Sequence, residues 1–196
     1  MPVLLLFFIN ASKLAINIWA FQVAKALASP ALSFIMQWLA KSFFIVLPVL
    51  GLYMLFKKDR NAYTFVIAGI LLYVISDTIK MITREPRPCN VDGLVTWIHP
   101  LTCQSSFSFP SNHASVLTGL VFFTKNYKYI RILYIIWLVL ILFGRVYLGM
   151  HYFTDVLAGM GLSLVVAYVI YRYRKPINAF VDNIVDRIIN LHLVQK

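Results

Sequence analysis

The chain is short of charge, and shorter still of negative charge. Of its 196 residues 13% are charged and 61% are hydrophobic, and only 7 are acidic. Soluble domains carry about 25% charged and about 45–50% apolar residues, so an ordinary water-soluble domain is excluded. There are two cysteines and no C-x2-C pair, which removes the usual sequence sign of a cysteine zinc site. No internal repeat or low-complexity linker breaks the chain, and its length fits one domain over residues 1–196. Residues 1–9 are apolar, but no basic segment precedes them and no clear small-residue cleavage site follows. A cleavable signal peptide is therefore not expected.

What the chain has instead is long apolar runs, with a mean hydropathy of +0.79. A membrane helix needs about 20 mostly apolar residues. Runs at 61–79, 129–147 and 156–171 read as spans, with a shorter one at 42–56 and a less oily one at 113–124. The first forty residues are apolar but interrupted by Lys13, Lys25, Pro30 and Lys41. They hold either one more span or a helix lying in the interface. The expectation is an all-α polytopic membrane bundle of about six helices. From Ile177 onward apolar residues recur with a 3.6 period, which predicts a C-terminal amphipathic helix on the membrane surface or packed on the bundle. Gly159, Ser163 and Ala167 recur every four residues and predict a close helix–helix contact.

The net charge of +11 does not point to nucleic acid, because the basic residues gather at the ends of apolar runs. Lys57, Lys58 and Arg60, then Lys125 to Arg131, then Arg172 to Lys175 occupy alternate connections, which places them on the cytoplasmic side. The other connections then meet on the opposite, extracytoplasmic side of the cell membrane. They carry three polar islands. Cys89 and Cys103 share one of these connections, either as two separate thiols or, if the loop faces an oxidising compartment, as a disulfide.

The first island is Lys80-x6-Arg87-Pro88. On a continuous helix Lys80, Arg84 and Arg87 share a face, with Pro86 and Pro88 ending it. Such cations on the outer side run against the charge rule and suit an anion, because guanidinium meets two phosphate oxygens at once. Asp77 stands one turn before Lys80. The second island is Pro110-Ser111-Asn112-His113. Ser111 is a good N-cap, and free amides at a helix start attract an anion. The third is Arg145-x5-His151-x3-Asp155. On a helix His151 and Asp155 stack at i and i+4, so that the carboxylate fixes the ring and frees one nitrogen to attack.

Together these motifs resemble the type 2 phosphatidic acid phosphatase superfamily of integral-membrane lipid phosphatases, whose pattern is K-x6-R-P, P-S-G-H and S-R-x5-H-x3-D. The resemblance covers roughly residues 40–175. It implies a helix bundle with its site at the extracytoplasmic surface and no cofactor or metal. Lys80, Arg87 and Arg145 would bind phosphate, helped by Ser111 and the amides of Asn112 and His113. His151 would be the nucleophile, Asp155 its orienting group and His113 the acid for the leaving oxygen. Two departures stand out: Asn112 in place of Gly, and Gly144 in place of the Ser before Arg145. The implied partners are a lipid phosphate substrate and membrane lipids. The small size favours a polyprenyl diphosphate, with phosphatidate or phosphatidylglycerophosphate as the alternative. Trp97 and His99 lie in the loop that would read a headgroup. Two other readings fit parts of the sequence, an anion-permeation or lipid-binding protein and a metal site of His99, His113, His151 and Asp155. The first leaves the histidine–aspartate set without use, and clustered cations oppose the second.

Overall fold

The computed structural model describes residues 14–97 and 103–194. Regular structure among them is helical: α1 (Ala15–Ala26), α2 (Pro30–Lys41), α3 (Phe43–Phe56), α4 (Asn61–Thr83), α5 (Asn112–Leu120), α6 (Lys128–Tyr147), α7 (Phe153–Arg172) and α8 (Arg174–Val194), with 3-10 turns at Pro88–Asn90 and Val121–Thr124. Among the described residues four stretches are long and apolar enough to cross a membrane: Pro30–Phe56, Asn61–Asn90, Lys128–Tyr147 and Phe153–Arg172.

The span expected at 42–56 therefore begins twelve residues earlier. Ser29 starts it, accepting a hydrogen bond from the Leu32 amide at 3.2 Å, with Pro30 in the first turn. At the α2–α3 junction Ser42 keeps helical angles, φ −59° and ψ −19°. Its hydroxyl donates to the Leu39 carbonyl and accepts from the Trp137 indole at 2.9 Å, so the junction is tied to α6. Helix α1, at about 18 Å long, is too short to cross and packs on α6 and α7. The open question of the first forty residues divides accordingly: 30–40 belong to a span, 15–26 form a packed helix, and 1–13, with Lys13, lie outside the described residues.

The expected run at 113–124 is the short helix α5 followed by a 3-10 turn. It sits at the centre of the bundle, against α4 and α7, with Ala114, Leu117 and Leu120 buried. The small-residue stripe of α7 makes this contact. A Cβ on Gly159 would stand 2.7 Å from the Ser111 carbonyl and 2.9 Å from the Ala114 Cβ, so only glycine admits the start of α5 so close. Ser163 and Ala167 are buried on the same face. The C-terminal helix forms as α8, which contacts α4 and α7 and leaves Phe180, Ile184 and Ile188 exposed.

Cys89 and Cys103 are joined in a disulfide across a sequence separation of 14. Closing a loop of this size removes unfolded-state entropy worth about 3 kcal/mol. The Cys89 amide also donates to the Gly149 carbonyl at 2.9 Å, which holds the loop over the end of α6.

Candidate active site

The first island does not lie on one helical face. Helix α4 ends at Thr83, and Arg84 caps it in the left-handed region at φ 52°, its amide bonded to the Lys80 carbonyl. This turn separates the three cations. Lys80, in the last helical turn, is buried. Arg84 is exposed and folds back on the Met81 carbonyl. Arg87 precedes Pro88 and is extended, at φ −68° and ψ 148°, as the proline ring requires. That extension returns its side chain to the buried side. There its Nε and Nη2 donate to the carbonyl and hydroxyl of Ser106, each at 2.8 Å, and Nη1 donates to the Met150 carbonyl at 2.7 Å.

His151 and Asp155 also meet by a different route from the one expected. Helix α7 starts at Phe153 with Tyr152 as N-cap, so His151 stands in the turn before the helix. Asp155 is the third helical residue, where a carboxylate closes the free amides and suits the helix dipole. Its Oδ2 accepts from the Tyr152 amide at 2.9 Å and from the Ser108 hydroxyl. The same oxygen faces His151 Nδ1 at 3.5 Å. The other ring nitrogen, Nε2, faces Arg87 Nη1 at 3.3 Å. The amides of Met150 and His151 both donate to the Arg145 carbonyl, which fixes the turn to the end of α6. Burial drives the His151 pKa well below the ordinary histidine value, and Arg145, Arg87, Lys80 and His113 push it the same way. Burial thus favours the neutral ring, whose Nδ1 faces the carboxylate and whose Nε2 faces the guanidinium.

Ser111 caps α5 as expected, accepting from the Ala114 amide at 3.4 Å, and its own amide donates to the Asp155 carbonyl at 3.2 Å. The second island is thus pinned to the third. Asn112 needs no unusual backbone, being the first helical residue with no positive φ. Its side chain ties α5 to α4: Oδ1 accepts from Ser76 at 3.0 Å and Nδ2 donates to Asp77 at 3.2 Å. Asp77 is thereby a partner of Asn112. His113 Nε2 lies 3.4 Å from the Ala40 carbonyl, and its ring packs on Phe43 with centroids 4.6 Å apart. His113 and Arg145 line one cavity of about 240 Å³, together with Gln37, Lys41, Phe44 and Gln104. The glycine at 144 also has a structural reason: a Cβ there would sit 3.1 Å from the Met36 sulfur of α2.

Lys80, Arg87, Arg145, His113, His151, Asp155 and Ser111 therefore converge from four elements. Three buried cations face two buried carboxyls, Asp155 and Glu85, which leaves the locus net positive and suited to an anion. Glu85, Ser106 and Ser108 belong to none of the three motifs. Glu85 adjoins the Asp155 carboxyl. Ser106 anchors Arg87, and Ser108 anchors Asp155. No pattern in the sequence flags the two serines, which lie in a connection without regular structure. Among the described residues no three of His, Cys, Asp and Glu gather as metal ligands, and His99 lies outside the described residues.

A family model described as the PAP2 superfamily matches residues 61–179. The chain is similar to an undecaprenyl-diphosphatase of Sulfolobus acidocaldarius, 33% identical over 119 residues that cover 59% of this chain and 57% of the relative. It is also similar to phosphatidylglycerophosphatase B of Bacillus subtilis, 28% identical over 57% of this chain and 61% of that protein. The chain thus spans about three-fifths of the length of these curated relatives. A solved structure, the PAP2-type phosphatidylglycerolphosphate phosphatase of Bacillus subtilis, shares the fold at TM-score 0.65 and 24% identity, covering 89% of this chain and 95% of that one.

Proposed function

Because the chain belongs to the PAP2 superfamily, we propose that it is an integral-membrane lipid phosphate phosphatase that works through a phosphohistidine. The observation that carries the reading is a buried imidazole with a carboxylate behind one nitrogen and a guanidinium before the other. Lys80, Arg87 and Arg145 hold the phosphoryl oxygens, with the Ser111 hydroxyl and the first amides of α5. His151 Nε2 attacks phosphorus in line, and the cations spread the charge that develops. Asp155 stabilises the imidazolium that forms. His113 gives a proton to the departing oxygen, then takes one from the water that releases phosphate from His151.

The substrate we favour is a polyprenyl diphosphate, as the name of the archaeal relative suggests; phosphatidylglycerophosphate or phosphatidate is the alternative, supported by the bacillary relative. The tail has a place to lie. An apolar groove of about 560 Å³ runs between α3 and α4, lined by Leu47, Gly51, Val66 and Ile70 among others, and it shares Phe44 with the cavity at His113. The basic connections at the opposite end and the disulfide beside the site support an extracytoplasmic site. On the cytoplasmic side the exposed apolar strip of α8 would lie in the membrane interface.

The test is phosphate release by purified protein across lipid mono- and diphosphates, with His151→Ala as blank and excess chelator in a parallel arm. Turnover that survives chelator and vanishes in the variant supports the reading. Turnover in the variant, or none in the parent chain on any substrate, refutes it.

A further inference from the structure

Lys41 is out of place for a membrane lysine. It stands inside the Pro30–Phe56 span, about 16 Å from one end and about 22 Å from the other at 1.5 Å per residue. No carboxylate lies within salt-bridge distance of it among the described residues. Its ammonium lies 4.9 Å from the centre of the Trp38 ring, one turn nearer the outer end. That contact steadies the side chain without neutralising it.

Its surroundings give it a use. Lys41 lines the same cavity as His113 and Arg145, with Gln37 and Gln104 as further polar groups. At the other edge of that cavity Phe44 begins the apolar groove. Lys41 thus shares one cavity with His113 and Arg145, and Phe44 lines both that cavity and the groove. We infer that Lys41 binds a second anionic phosphate on the leaving-group side of the substrate, and so selects lipids with two phosphates over phosphomonoesters.

This inference rests on the phosphatase reading above. In a diphosphate, His151 Nε2 bonds to the terminal phosphorus, the bond from that phosphorus to the bridging oxygen breaks, and its electron pair stays on the inner phosphate. His113 supplies the proton that oxygen takes up, and water then cleaves the phosphohistidine. The inner phosphate keeps a negative charge throughout and gains more as the bridge breaks. An ammonium facing it stabilises the transition state beyond the ground state. The same cation would also meet the phosphodiester of phosphatidylglycerophosphate, which lies farther along the headgroup.

The experiment compares kcat/KM for undecaprenyl diphosphate, undecaprenyl phosphate, phosphatidylglycerophosphate and phosphatidate in the parent chain, Lys41→Gln and Lys41→Arg. The expected result is a diphosphate-to-monophosphate ratio at least about 10-fold lower in Lys41→Gln, the size of one charge-assisted contact, and largely restored in Lys41→Arg. A ratio that falls only within the phosphatidylglycerophosphate–phosphatidate pair assigns the phosphodiester as the ligand. Unchanged ratios in both pairs overturn the inference while leaving the phosphatase reading intact, and a parent chain inactive on all four lipids removes that reading itself. Inhibition of the parent chain by pyrophosphate and by phosphate gives a check independent of variant folding: pyrophosphate should bind at least about 10-fold tighter, and equal inhibition by the two overturns the inference.

Discussion

Arg87 Nη1 stands 3.3 Å from His151 Nε2 while it donates to the Met150 carbonyl at 2.7 Å. The guanidinium is held from behind by Ser106, so its position does not depend on a ligand. On the proposed mechanism, a phosphoryl group bound here would meet a donor at its oxygens and the attacking nitrogen at its phosphorus.

Arg87→Lys should therefore fail despite keeping the charge. An ammonium cannot span Ser106 and Met150 and also present a donor to the ligand. Loss of one preorganised donor of this kind costs about 10²–10³ in rate. Phosphate-release kinetics on folded protein, verified by its melting temperature, provide the check; a variant within about 3-fold of the parent on that scale would remove Arg87 from the machinery.

Asp155→Asn should keep the shape of the α7 start but not the charge behind His151. The amide still accepts from Tyr152 at Oδ1, yet it no longer stabilises an imidazolium. We expect kcat to fall by about 10³–10⁴ with KM little changed. A rise in KM alone would mean that Asp155 only holds the fold.

The depressed His151 pKa gives a signed dependence on pH. The unfolded chain takes up a proton on this ring near about 6.5, while the folded chain resists it down to a lower pH. Between those two values the unfolded state binds more protons, so stability drops as pH falls below about 6.5 and levels off once the folded ring is also protonated. Melting temperatures from pH 7.5 to 5 should fall less steeply in His151→Gln than in the parent chain. Parallel slopes would place a charged ring in the folded state. Because the nucleophile is neutral, kcat/KM should also hold below pH 6.5 as far as His151 governs it.

Much of the site was legible because its chemistry is written in three compact islands. Ser111 behaves as an N-cap, and Gly159 marks the contact with α5, since both follow from local rules of helix ends and helix approach. The failures have physical causes. Residue spacing assumes a continuous helix, but Arg84 turns left-handed and Tyr152 starts a new helix, so Arg84 leaves the cluster and His151 reaches Asp155 from a turn. Hydropathy begins the first span at 42 because Lys41 interrupts the apolar run, whereas the backbone continues through Ser42. The pair formed by Asn17 and Thr154, with hydrogen bonds of 3.1 Å in both directions, joins residues 137 apart, which no periodicity reveals. Ser106 and Ser108 belong to an extended segment with no helix pattern to flag them.

The central claim is that His151 becomes covalently phosphorylated. Substrate labelled in its terminal phosphate should be mixed with a His113→Ala variant, in which the water step is slowed, and quenched in alkali, where phosphohistidine survives. The account predicts label on the peptide that contains His151, lost on acid treatment and absent from a variant that also carries His151→Ala. Full turnover with label on another residue, or undiminished turnover once His151 is removed, would contradict it.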